Sequence, residues 1–180
     1  MLNKLNLYLF LFIPSALVTG PFIPDLIVSL IALFTLVMLV TKKIEINFYK
    51  SKFLLVLSIF YFYLLFNSLI VSNEVYHSLG NSLFYFRFIL FFVGINYLLQ
   101  SNFELSRKLF IVLIFTCIII SIDAIAQYLI GVNILGYKYN DGRISGLFGK
   151  ELILGSYMVK FLPILITIYL LLEKNLNNKI

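Results

Sequence analysis

The chain has 180 residues, of which 62% are hydrophobic and 12% charged, and its mean hydropathy is +1.02. A soluble domain is about 45–50% apolar and about 25% charged, so a cytosolic enzyme, a secreted disulfide scaffold and a disordered tail are excluded. The single cysteine, Cys117, excludes an intramolecular disulfide and a multi-cysteine zinc site, and no metal site is expected. The net charge is +6, but the basic residues sit between apolar runs, where they read as topology signals rather than as a nucleic-acid surface.

These features predict an all-α, polytopic membrane helical bundle in a single domain over 1–180. A spanning helix needs about 20 mostly apolar residues. Residues 5–19 and 22–41 form two uncharged runs, apart from Asp25, divided by the turn residues Gly20-Pro21 and Pro24-Asp25. Further spans are expected at 53–71, at 83–99 interrupted by Arg87, at 109–130 interrupted by Asp123, and at 152–172 interrupted by Lys160. Lys4 and the small residues Ser15-Ala16 also fit a signal peptide. Against that reading, no clear cleavage site is present and the next apolar run follows at once.

Six spans place both termini on one side. The ends and loops of that side hold nine basic residues: Lys4, Lys42, Lys43, Lys50, Lys52, Arg107, Lys108, Lys174 and Lys179. The opposite side holds three, Lys138, Arg143 and Lys150. The positive-inside rule therefore makes both termini cytoplasmic and turns Glu74, His77 and the long 131–151 connection outward.

Three charges fall within spans. Counted from the outer ends at 1.5 Å per residue, Arg87 lies roughly 6 Å deep, Asp123 roughly 10 Å and Lys160 roughly 12 Å. Only three arginines occur among 180 residues, with 19 Phe and 12 Tyr, a bias typical of an AT-rich gene. An intramembrane Arg in such a chain is not compositional drift. Because charges in hydrocarbon are costly, these three suggest a wet pocket open to the outside. The alternatives are an ion pair of Asp123 with Arg87 or Lys160 that only packs the bundle, or snorkelling of the two long cations.

The 131–151 connection is the most informative stretch. Six glycines lie between Gly131 and Gly155, and Asn140-Asp141-Gly142 is a turn signal that delivers Arg143. Arg suits bidentate phosphate binding. Gly149-Lys150-Glu151 is expected to open the last helix, where Glu151 suits the dipole. No G-K-[ST] follows, so this is not a P-loop. Tyr128, Tyr137, Tyr139 and Tyr157 cluster around the loop, either as an interfacial belt or as platforms for sugar rings. His77 reads as a solvated loop histidine, Cys117 as packing, and Pro14 and Pro163 as helix kinks.

The run Arg143-x-Ser-Gly146-Leu-Phe-Gly-x-Glu151-Leu-Ile-Leu-Gly155-Ser-Tyr157, followed by Phe-Leu-Pro163, resembles the entry motif of the O-antigen polymerase and O-antigen ligase family, multipass glycosyltransferases of the bacterial inner membrane. Gly149-Lys150-Glu151 stands where that family has an Asn-rich turn. The motif spans about 20 residues, and the hydropathy extends the likeness loosely along the chain. The resemblance implies a transferase without metal or other cofactor, acting at the periplasmic face on a glycan carried by a polyprenyl diphosphate. Its other partners would be the lipid bilayer and further polysaccharide-assembly membrane proteins, with no nucleic acid. It implies that Arg143 binds the diphosphate leaving group, with Arg87, Gly146, Lys160 and Tyr157 as substrate-binding residues and Glu151 and Asp123 as candidate bases. The family's later catalytic Arg and His have no counterpart here. The resemblance therefore implies an N-terminal portion of a longer protein, inactive as this chain alone. A second reading is a transporter or flippase-like protein whose intramembrane charges line a substrate path. It would predict inverted repeats or broken helices meeting at the midplane, and no such repeat is visible.

Overall fold

The computed structural model describes residues 2–44, 51–139, 142–149 and 151–177. Lys50, Lys150, Lys179 and the Asn140-Asp141 turn lie outside the described residues. Within them the architecture is helical, with no strand: α1 (Leu2–Ala16), a 3-10 turn (Leu17–Thr19), α2 (Phe22–Val40), α3 (Lys52–Ile70), α4 (Val75–Phe84), α5 (Phe86–Ser101), α6 (Phe103–Ile130), a second 3-10 turn (Gly146–Phe148) and α7 (Leu154–Asn177). Five stretches are long and apolar enough to cross a membrane, with Val75–Ser101 counted as one of them, and a shorter apolar helix covers Lys4–Thr19. This is a multi-pass membrane protein.

The break between α1 and α2 falls at Gly20-Pro21, as the turn residues require. Pro24 sits in the first turn of α2, where its missing N–H costs nothing. Several boundaries differ from the sequence expectation: α6 begins at Phe103 rather than at 109 and α7 runs to Asn177 rather than 172, and two further differences bear on the site residues. The fourth span starts at Val75 rather than at 83, broken only at Tyr85, so His77 lies on a helix and not in a loop; its Nδ1 is 3.2 Å from Asn81 Nδ2, one turn on. The last helix starts at Leu154, so Glu151 precedes it rather than opening it.

The chain divides into two compact units. One comprises Met1–Phe10 and Asp25–Ser101, the other Leu11–Pro24 and Asn102–Ile180.

In the first unit Met38, Ile44, Leu54 and Val93 form the buried cluster, with Ile89 and Phe92 against it. Lipid is as apolar as these side chains, so close packing and interhelical polar contacts hold membrane helices together. Gly94 supplies one such approach: a Cβ there would collide with the hydroxyl of Thr35, which itself donates to Ile31 O at 2.7 Å. A second is a hydroxyl cluster between α3 and α4. Ser68 is in short contact with Ser82, Ser78 Oγ donates to Ser68 Oγ at 3.1 Å, and Ser68 Oγ also donates to Leu64 O at 2.9 Å. Ser78 and Ser82 of α4 are thereby turned toward α3, while His77 and Asn81 stay exposed.

In the second unit α6 and α7 pack along Leu113 and Ile120 on one side and Tyr157, Phe161 and Ile168 on the other, with Phe148 from the intervening loop completing the cluster. The residues of α7 recur at three- and four-residue spacing, one face of a helix. Tyr157 stacks between Phe148 (5.1 Å between centroids) and Phe161 (4.4 Å). Its hydroxyl donates to Pro14 O at 2.6 Å, and Ser15 Oγ lies 3.2 Å from Thr116 Oγ1. These two contacts fix the end of α1 in this unit.

Candidate functional site

The site is the loop between α6 and α7 and the helix face beneath it. α6 ends at Gly131, whose φ of 86° is left-handed and whose N–H returns to Gln127 O at 2.9 Å. Such a cap turns the chain sharply and satisfies a terminal carbonyl. The chain then folds back on itself: Asn133 N–H donates to Tyr137 O at 3.0 Å, Tyr139 N–H donates to Gly131 O at 2.8 Å, and Val132 bridges Lys138.

Two side chains one turn apart on α6 receive this loop. Gln127 is fully buried, and its Oε1 accepts the N–H groups of Ser145 (3.1 Å) and Gly146 (2.8 Å). Its Nε2 donates to Tyr137 O and to Ser145 Oγ, both at 3.2 Å. Asp123, also fully buried, accepts the Ile134 N–H on Oδ1 at 3.0 Å, while Oδ2 has no hydrogen-bond partner. Asn133, buried within the loop, donates from Nδ2 to Gly146 O and accepts the Tyr137 N–H at 2.7 Å. A buried amide that fills four hydrogen bonds is expensive to disturb, because each partner is left unsatisfied if it goes. The stretches 131–139 and 145–146 are thereby fixed against α6 and each other.

Gly146 is where the loop comes nearest α6. Its φ is 55°, and a Cβ built there would sit 2.6 Å from Leu154 Cδ1 and 3.5 Å from Asp123 Oδ2. The backbone conformation favours glycine, and a Cβ would also have to displace the end of the Leu154 side chain. Three residues before it, Arg143 is exposed, and its side chain makes no hydrogen bond or ion pair among the described residues. The anchored loop thus leaves this guanidinium free among the described residues.

Beside the loop lies a cleft of about 610 Å³ walled by Leu17, Val18, Leu135, Leu147 and Phe148, with Tyr137 and the exposed Glu151 at its lining. Tyr128 and Tyr139 meet edge to face at 6.0 Å.

The structure thus brings Gly146, Asp123 and Tyr157 together around the loop and sets Glu151 in the adjoining cleft. Arg87 belongs to the other unit. There it forms a two-pronged pair with Asp25, Nη1 to Oδ2 at 2.9 Å and Nη2 to Oδ1 at 2.5 Å, and donates from Nη1 to Ser29 Oγ at 3.1 Å. Its partner is thus Asp25 at the start of α2, and the pairing of Asp123 with Arg87 or Lys160 is not formed. Asp123 meets a backbone N–H instead. Lys160 is exposed on α7 with no ion pair among the described residues. Tyr157 spends its hydroxyl on Pro14. Gln127 and Asn133, which carry most of the loop's anchoring, went unremarked in the sequence reading; the visible clue was Asp123 and Gln127 at i, i+4 in an otherwise apolar helix. Among the described residues no group of three or more His, Cys, Asp or Glu could hold a metal ion.

No family model, curated protein or solved structure matches this chain.

Proposed function

We propose that this chain is part of a glycosyltransferase of the O-antigen polymerase or ligase type, acting in a bacterial inner membrane on a glycan linked to a polyprenyl diphosphate. The observation that carries the reading is the loop: a glycine-rich segment held on α6 by Gln127 and Asp123 and tied across itself by Asn133, from which Arg143 projects unpaired among the described residues. Transfer of a glycosyl group breaks its bond to the diphosphate and leaves negative charge on phosphate oxygens. A preorganised guanidinium stabilises that charge with a two-donor fork. The apolar walls of the neighbouring cleft suit the first isoprene units of the carrier. Of the two carboxylates considered as base, Glu151 is open to the cleft, whereas Asp123 is enclosed beneath the loop. The orientation required, with this loop on the outer face, is the one the basic-residue asymmetry favours.

The test is formation of long-chain surface glycan by the complete gene product in a bacterium lacking its own polymerase or ligase. Arg143→Lys keeps the charge but not the planar fork, and a loss on the order of 100-fold or more is expected for removing such a donor. Glycan of normal amount and length with Arg143→Ala would remove this residue from the reaction.

A further inference from the structure

The exposed side of α7 carries apolar residues such as Val159, Leu162, Ile166 and Leu170, but between them runs a stripe that is not built like a lipid-facing surface. Ser156, Lys160, Pro163 and Thr167 fall at i, i+4, i+7 and i+11, within an arc of about 60° at about 100° per residue, and all four are exposed. Tyr157, Phe161 and Ile168 lie on the other side, buried against α6. The exposed face of α3, by contrast, is carried by Ile59, Phe62 and Phe66, as a helix facing acyl chains should be. Lys160 stands six residues inside α7, roughly 9 Å along its axis. Of the other two charges that interrupt the spans expected from the sequence, Arg87 has Asp25 and Asp123 has the Ile134 N–H, each in its own unit. Lys160 has no such partner among the described residues. Glu173, the one acid on its own helix, is more than three turns away.

We infer that this face of α7 docks a transmembrane helix of a partner protein that carries an Asp or Glu at the depth of Lys160, in the half of the membrane nearer the α6–α7 loop. Charge complementarity selects the occupant. A lone ammonium at this depth is stabilised by a carboxylate and not by lipid tails. A second copy related by a twofold axis along the membrane normal would set Lys160 against Lys160 at equal depth, like charge on like. Ser156 adds a hydroxyl one turn away, and small side chains of this kind let helix backbones approach closely.

The experiment places a photo-crosslinking amino acid at Ser156 and at Thr167 in the full chain in intact cells, with Ile59 as the lipid-facing control, and sequences the adduct peptides by mass spectrometry. The expected adduct is an apolar membrane segment containing Asp or Glu. Its yield should fall at least tenfold with Lys160→Gln and with Lys160→Glu, at unchanged membrane level of the chain. It should persist with Lys160→Arg, and return when Lys160→Glu is combined with a Lys in place of the partner's acid. Lipid adducts alone, a peptide from this same chain, a partner segment without a carboxylate, or a yield indifferent to Lys160→Gln would each overturn the inference.

Discussion

Asp123 shows how a buried charge in a membrane helix can be misread. Its depth suggested a counter-ion, yet one of its oxygens holds a loop amide and the other has no partner. Asn would keep the acceptor for Ile134 and remove the cost of burying a carboxylate. Asp123→Asn is therefore expected to leave thermal stability in detergent unchanged or raised, while Asp123→Leu lowers it by leaving the Ile134 N–H without an acceptor. A large loss with Asp123→Asn would mean that the negative charge itself is needed. Gln127 is the stronger anchor. Gln127→Leu removes four hydrogen bonds at once, and each orphaned buried group costs about 1–3 kcal/mol. The expected outcome is a loop cut rapidly by added protease in spheroplasts, with Asn81→Ala as the silent control; equal resistance in the two variants would contradict the clamp.

Among the elements, the turn at Gly20-Pro21 and the helices α2 and α3 were legible because nearly uncharged apolar runs bounded by turn residues have few other readings, and α6 was legible as an apolar run although it begins at Phe103. The start of the fourth span was not. Ser78, Asn81 and Ser82 depress the hydropathy of α4, and the packing of Ser78 and Ser82 on Ser68 of α3 becomes visible only in the folded chain. The pair between Arg87 and Asp25 was hidden for a similar reason: Arg87 was visible as a charge within a span and Asp25 as part of a turn, but their meeting depends on which helices are neighbours. Within the site, Arg143 and Gly146 stood out by residue type, whereas Gln127 and Asn133 are neutral and their role appears only once the loop is folded over them. Because Asp25 is about half exposed, the ion pair is worth little in water, typically about 0–1 kcal/mol. Its geometry should still matter for helix placement. Arg87→Asp alone is expected to lower the membrane level of the chain, and Asp25→Arg in the same molecule to recover most of it. Failure of the exchange to recover it would mean that Arg87 acts elsewhere than on Asp25.

For the whole molecule, sidedness decides whether the α6–α7 loop can meet a lipid-linked glycan at all. By the positive-inside rule, the nine-to-three distribution of basic residues would put this loop and the α3–α4 connection outside. In a Cys117→Ala background, single cysteines replacing Tyr76, which is 95% exposed on α4, and Lys138 in the loop should react with an impermeant thiol reagent added to intact cells. A cysteine replacing Lys43, on the other side, should react only after permeabilisation. Labelling of Lys43→Cys in intact cells would reverse the orientation and remove the outward-facing site.

In the proposed reaction the α6–α7 loop presents Arg143 to a diphosphate. The most direct measurement is the affinity of the purified chain in lipid nanodiscs for a polyprenyl diphosphate, compared with the corresponding polyprenyl alcohol. Charge-assisted hydrogen bonds contribute about 1.5–3 kcal/mol, so Arg143→Ala should weaken binding of the diphosphate by about 10- to 100-fold and leave binding of the alcohol unchanged. Equal affinity of the wild type and Arg143→Ala for the diphosphate would contradict the account.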